Sequence, residues 1–215
     1  MGLLGFGRKL DDDTRVRMAE GTAMHRQFQQ ELADRGLLVR AEVTVRDPAL
    51  LVSGRIDALI HEGAEAVPLE YKTVSAERFA EMREQGPVVA HWAQLALYLA
   101  CPPRPFSHGV LVVDERAPAG GRLVARQPAA TRFAAWVVAR VQQAWRWAED
   151  GALPPREPAR HCLSCDRWER CYRTEDDRAE AVAAHPTWDP SPPMPWEPIA
   201  WESQHALLLD RRRER

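Results

Sequence analysis

The chain has 215 residues, of which 45% are hydrophobic and 28% charged, and its formal net charge at pH 7 is −2. This composition is ordinary for a globular protein with one domain, or one domain and a small appendage. The small net charge argues against a polybasic nucleic-acid binder, although acids clustered as in Asp11–Asp13 leave room for a basic groove elsewhere.

The sequence contains no apolar run long enough to span a bilayer, and the apolar stretch Met1–Phe6 is too short for a signal peptide. We therefore expect a cytoplasmic protein with no membrane partner. In a reducing compartment, the four cysteines are more often metal ligands or buried thiols than disulfides.

The first predicted element is a helix from Thr14 to Arg35, which Gly36 closes. Its apolar residues recur at helical spacing: Val16, Ala19, Ala23, Phe28 and Leu32. The segment from Leu38 to Arg46 then alternates between hydrophobic and polar residues, which predicts a strand with one exposed face. Its apolar face would hold Val39, Ala41, Val43 and Val45.

Two further predicted strands carry charged residues in otherwise apolar runs. The segment Leu51–Ile60 contains Asp57, and the segment Val67–Thr73 contains Glu70 and Lys72. The period of two along a strand places Glu70 and Lys72 on one face. If the two strands pair, two carboxylates and one ammonium group converge.

Lys72 is one of only two lysines among the 29 basic residues of the chain. Two carboxylates such as Asp57 and Glu70 hold a hard divalent cation, and a compact ammonium group can orient or help deprotonate a water beside a phosphate. Arginine suits this role poorly because it stays protonated. The alternative is a surface Glu/Lys pair on a half-exposed strand.

The remaining elements alternate between helices and strands. They are a helix capped by Ser75 and running to about Gln85, a helix Val88–Ala100, a hairpin His108–Asp114 with Gly121–Arg126, and a long helix from Pro128 to about Asp150. Helices on both sides of a small mixed sheet make an α/β or α+β domain.

The helix Val88–Ala100 has a polar face. Gln94 and Tyr98 lie four residues apart on it, and His91 lies three before Gln94, so all share this face. Such a face beside paired carboxylates could position a phosphate or a base, whereas the alternative is a solvated side of an amphipathic helix. His25 in the first helix is, by itself, more typical of a core or surface histidine than of a ligand.

The composition changes after residue 153. We predict a core at residues 1–153, a cysteine segment at 154–180 packed on it, and an extended tail at 181–215 rich in proline and tryptophan. The tail cannot form a core alone, so it either packs over the domain or binds a partner. Its three tryptophans, Trp188, Trp196 and Trp201, favour packing.

These motifs, in this order, resemble the RecB-type branch of the PD-(D/E)XK nucleases. The resemblance covers residues 21 to 98 and depends on four short motifs: Gly21–His25, Gly54–Asp57, Glu70–Lys72 and Gln94–Tyr98. It implies a restriction-endonuclease-like α/β core in which a small mixed sheet is flanked by helices.

The resemblance also implies a role for each matched position. Asp57 and Glu70 would be ligands of Mg²⁺ or Mn²⁺, and Lys72 would act on the attacking water. His25 would be an additional metal ligand, and the peptide carbonyl of Tyr71 would complete the metal shell.

The cysteine pattern extends the resemblance. Cys162, Cys165 and Cys171 have the spacing found in iron–sulfur members of the branch, such as AddB and the adaptation exonucleases of the fourth CRISPR-associated (Cas) family. This implies a 4Fe-4S cluster, or Zn²⁺ in its place. The family's fourth cysteine lies upstream of the helical histidine, where residues 1–24 contain none, so Cys101 is the remaining cysteine and His161 an alternative ligand.

The implied activity is that of a DNA exonuclease acting on ends or single strands, with Gln94 and Tyr98 supporting DNA binding and cleavage. Chain length and the cysteine segment favour processing of CRISPR spacer precursors with an integrase complex as partner. A stand-alone phage or mobile-element nuclease for DNA repair or recombination fits the same residues. Alternatives of another class are a non-catalytic DNA-binding scaffold and an interaction protein whose tail docks a partner.

Overall fold

A computed structural model describes residues 12–101, 106–117, 120–165, 167–185 and 201 of the chain. Its helices and strands follow one another in this order: α1 Asp12–Asp34, β1 Leu38–Asp47, β2 Val52–Glu62, β3 Glu65–Val74, α2 Ala76–Gln85, α3 Val89–Ala100, β4 His108–Glu115, β5 Arg122–Pro128, α4 Arg132–Glu149 and α5 Glu175–Ala183. Two short 3-10 turns, Arg160–Ser164 and Trp168–Arg170, lie between α4 and α5.

The five strands form one mixed sheet in the order β1-β2-β3-β4-β5. β3 and β4 run parallel, and the other neighbouring pairs run antiparallel. A parallel pair needs a crossover connection, which α2 and α3 supply. Four consecutive residues of β4 are fully buried because helices cover both faces of the sheet: Val110, Leu111, Val112 and Val113. The predicted α/β fold class is confirmed.

The hydrophobic core lies on both faces of this sheet. On one face, Phe28 and Leu32 of α1 pack with Tyr71 and other strand residues. On the other face, Phe79 of α2 and Leu95 of α3 belong to a cluster that also includes residues of α4. Among the helices that the structure describes, none combines the length and the hydrophobicity that crossing a membrane requires.

One tryptophan of the C-terminal segment is joined to this core. The indole N–H of Trp201 donates to the carbonyl oxygen of Met82 at 2.8 Å. Its half-buried ring packs against the cluster on the α2–α4 face. Trp188 and Trp196, for which packing was also favoured, lie outside the described residues.

The predicted apolar faces of α1 and β1 were partly wrong. Val16 is 56% exposed, because α1 reaches the core through the half that contains Phe28 and Leu32. Val39 is 41% exposed, because the β1–β2 register shifts between Leu38 and Arg40 and reverses the alternation there.

The predicted start of the long helix was also wrong. Pro128 is the last residue of β5, and α4 begins at Arg132. The hydroxyl oxygen of Thr131 accepts a hydrogen bond from the amide of Ala134 at 3.0 Å, so Thr131 is the N-cap. Helix α5 was not predicted.

Gly21 lies inside α1, and replacing it with alanine is expected to stabilise the protein by about 0.5–1 kcal/mol. A Cβ atom at this position would meet Thr73 Oγ1 at 3.7 Å, an ordinary van der Waals contact. The gain comes from the lower backbone entropy of alanine in the unfolded chain. Urea unfolding of both proteins measures it, and a loss of stability in Gly21→Ala would contradict the expectation.

Candidate active site

Pairing of β2 with β3 brings Asp57 beside the Glu70–Lys72 motif. The antiparallel ladder between the two strands ends at the pair Ala58–Leu69. Immediately beyond it, the Oδ2 atom of Asp57 accepts a hydrogen bond from the amide of Tyr71 at 2.8 Å. A side chain thus takes the backbone donor that the ladder would otherwise use, and this bond fixes the Asp57 carboxylate against β3.

Glu70 is buried in the sheet with only 1% of its surface exposed. Its Oε1 atom lies 2.5 Å from Lys72 Nζ, whereas its Oε2 atom is buried and has no hydrogen-bond partner. Burial raises the pKa of Glu70 to about 7, and the charge of Asp57 adds to the rise while Lys72 opposes it. An unpartnered buried carboxylate oxygen is costly for a protein unless a cation or a donor satisfies it.

Lys72 is held by two acceptors. Its Nζ atom donates to Glu70 Oε1 and, at 3.0 Å, to Gln94 Oε1. The amide nitrogen of Gln94 in turn donates to the hydroxyl oxygen of Tyr98 at 2.8 Å. Gln94 and Tyr98 therefore form a chain of hydrogen bonds that positions the Lys72 ammonium group.

Tyr98 is buried against β2 at Gly54. A Cβ atom at residue 54 would come within 2.5 Å of Tyr98 Cε1, so only glycine lets the ring approach the strand this closely. Gly54 therefore belongs to the same arrangement as Gln94 and Lys72, although it carries no functional group of its own.

His25 lies at the edge of this group, on α1. Its Nδ1 atom is 3.6 Å from Asp57 Oδ1, and its ring meets the ring of Tyr71 edge to face at 4.9 Å between centroids. The structure thus brings together six of the residues named from the sequence motifs: His25, Asp57, Glu70, Lys72, Gln94 and Tyr98.

His91 shares the polar face of α3 with Gln94. Its Nδ1 atom is buried without a hydrogen-bond partner. Burial lowers the pKa of His91 to about 4, and the positive charges of Lys72 and Arg78 add to the effect. The imidazole is therefore neutral at physiological pH and adds no charge beside Lys72.

Gln29 is a site residue that the sequence motifs did not identify. Its Nε2 atom donates to the carbonyl oxygen of Asp57 at 3.0 Å and to Glu42 Oε1 at 2.9 Å. Gln29 lies four residues after His25 in α1, so the helical period places both on one face, and that spacing could have indicated it. No local pattern indicated Glu42, because its contacts depend on the packing of α1 against the sheet.

The side chain of Tyr71 extends into a polar network on the α1 side. Its hydroxyl donates to Asp114 Oδ2 at 2.8 Å, and Arg122 binds both oxygens of Asp114 at 2.7 and 2.8 Å. Arg122 also pairs with Glu31 of α1 at 3.1 Å. The ring of Tyr71 stacks on Phe28 with centroids 4.2 Å apart. This network fixes β3 against α1 behind the carboxylates.

Replacing Tyr71 with phenylalanine is expected to lower the free energy of unfolding by roughly 1.5–3 kcal/mol, because a hydrogen bond to a charged acceptor is lost. The amide that holds Asp57 remains, so any catalytic rate should change little. Urea unfolding measures the first effect. If Tyr71→Phe has the unfolding free energy of the wild type but has lost its catalytic activity, the hydroxyl takes part in the chemistry.

The candidate cysteine ligands occupy two places. Cys101 is buried with Val45, Ile56, Leu59 and Tyr98. Cys162, Cys165 and Cys171 lie in or beside the 3-10 turns, and Cys162 Sγ is 3.7 Å from the hydroxyl of Tyr172. In the described ranges, no three histidine, cysteine or acidic side chains converge as a metal cage.

The residues at the end of the β2–β3 ladder fit a divalent cation in an open site. Asp57 and Glu70 supply carboxylate oxygens, the donor type that Mg²⁺ and Mn²⁺ prefer, and the peptide carbonyl of Tyr71 lies in the same strand as Glu70. Mg²⁺ commonly keeps several waters and uses only one or two carboxylates, so a closed cage is not required. The unpartnered Glu70 Oε2 is the atom that such a cation would satisfy.

A known protein family matches most of this chain. The family model described as the PD-(D/E)XK nuclease superfamily matches residues 7–172. A search of curated proteins finds no match. Among solved structures, the crystal structure of SSO0001 is similar to this chain, with 18% sequence identity and a TM-score of 0.41. The match covers 63% of this chain and 62% of the SSO0001 chain, which is less than two thirds of its length. Because the family model spans most of the chain, the protein belongs to the PD-(D/E)XK nuclease superfamily.

Proposed function

We propose that this protein is a DNA nuclease that hydrolyses phosphodiester bonds and depends on Mg²⁺ or Mn²⁺. The observation that carries the proposal is the buried, unpartnered Oε2 atom of Glu70, which lies beside Asp57 and Lys72 in a member of a nuclease superfamily. A carboxylate buried in this way weakens a fold unless it serves a ligand.

Each side chain then has a distinct task. Asp57 and Glu70, with the carbonyl of Tyr71 and with His25 beside Asp57, would hold the cation. When bound, the cation supplies Lewis-acid activation of water and neutralises charge on the phosphate. The Lys72 ammonium group, fixed between Glu70 and Gln94, orients the attacking water and stabilises the negative charge that develops at the phosphate.

We further propose that the enzyme is an exonuclease that acts on DNA ends or single strands. The test is cleavage of linear DNA labelled at either the 5′ or the 3′ end, compared with a closed single-stranded circle of the same sequence. An exonuclease digests the linear DNA progressively and leaves the circle intact. Rapid cutting of the circle would contradict exonuclease activity while leaving the nuclease assignment in place.

The finer proposal is that the substrate is a CRISPR spacer precursor and that an integrase complex is the partner. The cysteine spacing supports this proposal, because the adaptation exonucleases share that spacing. The competing proposal is a stand-alone nuclease of a phage or mobile element, which would act without an integrase. We expect the enzyme to trim overhangs from precursors bound to the integrase, and to do so faster than from the same DNA without the integrase. Equal rates in the two cases would favour the stand-alone enzyme.

We also propose that the cysteine segment binds a soft metal through Cys162, Cys165 and Cys171, as a 4Fe-4S cluster or Zn²⁺. Three thiols on one short segment support this, with His161 beside Cys162 as a candidate for the fourth ligand. Cys101, the other candidate from the sequence, is buried in the separate cluster that contains Tyr98. No step of the hydrolysis is assigned to this metal. Elemental analysis of anaerobically purified protein is the test, and a colourless protein with neither iron nor zinc would refute metal binding.

A further inference from the structure

Glu42 on the edge strand β1 has a backbone conformation that its side chain disfavours. Its φ angle is 54°, in the left-handed region that residues other than glycine and asparagine seldom occupy. The neighbouring residues pair regularly with β2, as Ala41 with Ala58 and Val43 with Ile56. Strained backbone of this kind persists where surrounding contacts fix it, and it concentrates at functional sites.

The contacts of Glu42 connect it to the candidate active site. Its Oε2 atom forms an ion pair with Arg55 Nε at 2.5 Å, and its Oε1 atom accepts from Gln29 at 2.9 Å. The same Gln29 nitrogen donates to the carbonyl oxygen of Asp57 at 3.0 Å. The Glu42 carboxylate is therefore fixed between the helix that carries His25 and the strand that carries Asp57.

Stability alone does not account for the pairing of Glu42 with Arg55. The two side chains are 40% and 68% exposed, and an ion pair this exposed stabilises a fold very little. Its main physical effect is on orientation, because the carboxylate restricts the rotamers of a long, flexible side chain.

The position of Arg55 suits contact with a substrate strand. Arg55 lies two residues before Asp57 in β2, so the period of the strand places both on the same face. The ion pair engages the inner nitrogen Nε, and the terminal amino groups belong to the outer part of a mostly exposed side chain. A planar guanidinium group with several donors is well suited to bind a phosphate.

We propose that Arg55 binds a phosphate that neighbours the scissile phosphate on the same DNA strand. Glu42 holds the guanidinium group of Arg55 in the orientation for this contact. The inference rests on the proposed nuclease function, because it assigns a substrate contact to the same site. Arg55 would set the register of the strand over Asp57, and Glu42 would be a positioning residue that does not touch DNA.

The first test compares Arg55→Gln with Arg46→Gln, a matched loss of charge at an exposed arginine of β1. Fluorescence anisotropy measures the affinity for labelled single-stranded DNA in Ca²⁺, and Mn²⁺ assays give kcat and KM. Arg55→Gln is expected to weaken binding about tenfold, to raise KM more than it lowers kcat, and to reduce the slope of log K against log salt by about 0.7. Arg46→Gln should bind within about twofold of the wild type.

The second test locates the phosphate. Oligonucleotides that each carry one neutral methylphosphonate, placed at successive positions, are bound to the wild type and to Arg55→Gln. One position should weaken binding to the wild type but not to Arg55→Gln, since the contact is already lost. Glu42→Gln should remain sensitive at that position, with a smaller loss of affinity, and its kcat/KM should fall mainly through KM.

The outcomes separate this inference from the proposed function. If the wild type cleaves DNA but Arg55→Gln binds like Arg46→Gln, or if it remains sensitive to every methylphosphonate, the inference is wrong and the nuclease assignment stands. If the wild type binds DNA but never cleaves it, the nuclease function fails and the methylphosphonate scan still decides the role of Arg55. If the wild type neither binds nor cleaves DNA, both are refuted. Should Arg55→Gln not fold, Arg55→Lys replaces it and is expected to weaken binding at the same phosphate.

Discussion

Replacing Glu70 with glutamine is expected to lower the cleavage rate by at least about a thousandfold while leaving the metal-free protein as stable as the wild type or more stable. The first effect follows from the loss of a proposed metal ligand, because a contribution of about 4 kcal/mol to the barrier corresponds to a factor of a thousand in rate. The second follows from burial: Glu70 is 1% exposed and its pKa is raised to about 7, so its charge opposes folding. Glutamine has nearly the same shape and leaves the Lys72–Gln94 hydrogen bond in place.

Glu65→Gln is the matched control, since Glu65 is an exposed residue of the same strand whose carboxylate accepts from Ser107. It should cleave within about twofold of the wild type, as expected for a surface substitution. Single-turnover cleavage and thermal unfolding in EDTA give the two quantities for each variant. A Glu70→Gln protein that is strongly destabilised would show that the charge serves the fold, and one that cleaves normally would show that the carboxylate is not a ligand.

Replacing Gly54 with alanine is expected to cost about 1–3 kcal/mol of stability and to reduce the cleavage rate by one to two orders of magnitude. The added Cβ atom would come within 2.5 Å of Tyr98 Cε1, which forces the ring or the strand to move. Because Tyr98 holds Gln94, which in turn holds Lys72, the displacement releases the ammonium group from its position.

A double-mutant comparison tests that route from Gly54 to Lys72. Tyr98→Phe removes only the hydroxyl and should lower the rate by about tenfold with a small change in stability. If Gly54→Ala acts through the same chain, the double variant should be no slower than Gly54→Ala alone. If the rate loss of the double variant equals the product of the two single losses, Gly54 affects the reaction independently of Tyr98.

Much of the fold could be predicted because the elements follow their periods closely. The β2 and β3 runs were identified from short apolar segments. Their pairing was only the condition under which Asp57, Glu70 and Lys72 would converge, and the structure shows that pair. Helix α5 was missed because its apolar face is weak, although Thr174 accepts from the amide of Asp177 in a capping pattern that the sequence contains.

Residues of the candidate site could be predicted where they belong to sequence motifs, but not where their contacts depend on tertiary packing. Gln94 and Tyr98 follow from helical spacing, but their function as a support for Lys72 required the distances between side chains. Glu42 could not be found, because its φ angle and its bond to Gln29 arise only when α1 packs on the sheet. Sequence order alone does not specify such contacts.

Cleavage of end-labelled DNA tests the proposed metal site most directly, with the purified wild type assayed in Mn²⁺ and in EDTA, and the variant Asp57→Ala assayed in Mn²⁺. We predict cleavage by the wild type that rises with Mn²⁺ to saturation, none in EDTA, and none by Asp57→Ala at any Mn²⁺ concentration although the variant remains folded. Cleavage by folded Asp57→Ala at the wild-type rate, or by the wild type in EDTA, would contradict the assignment of a metal-dependent nuclease site at Asp57, Glu70 and Lys72.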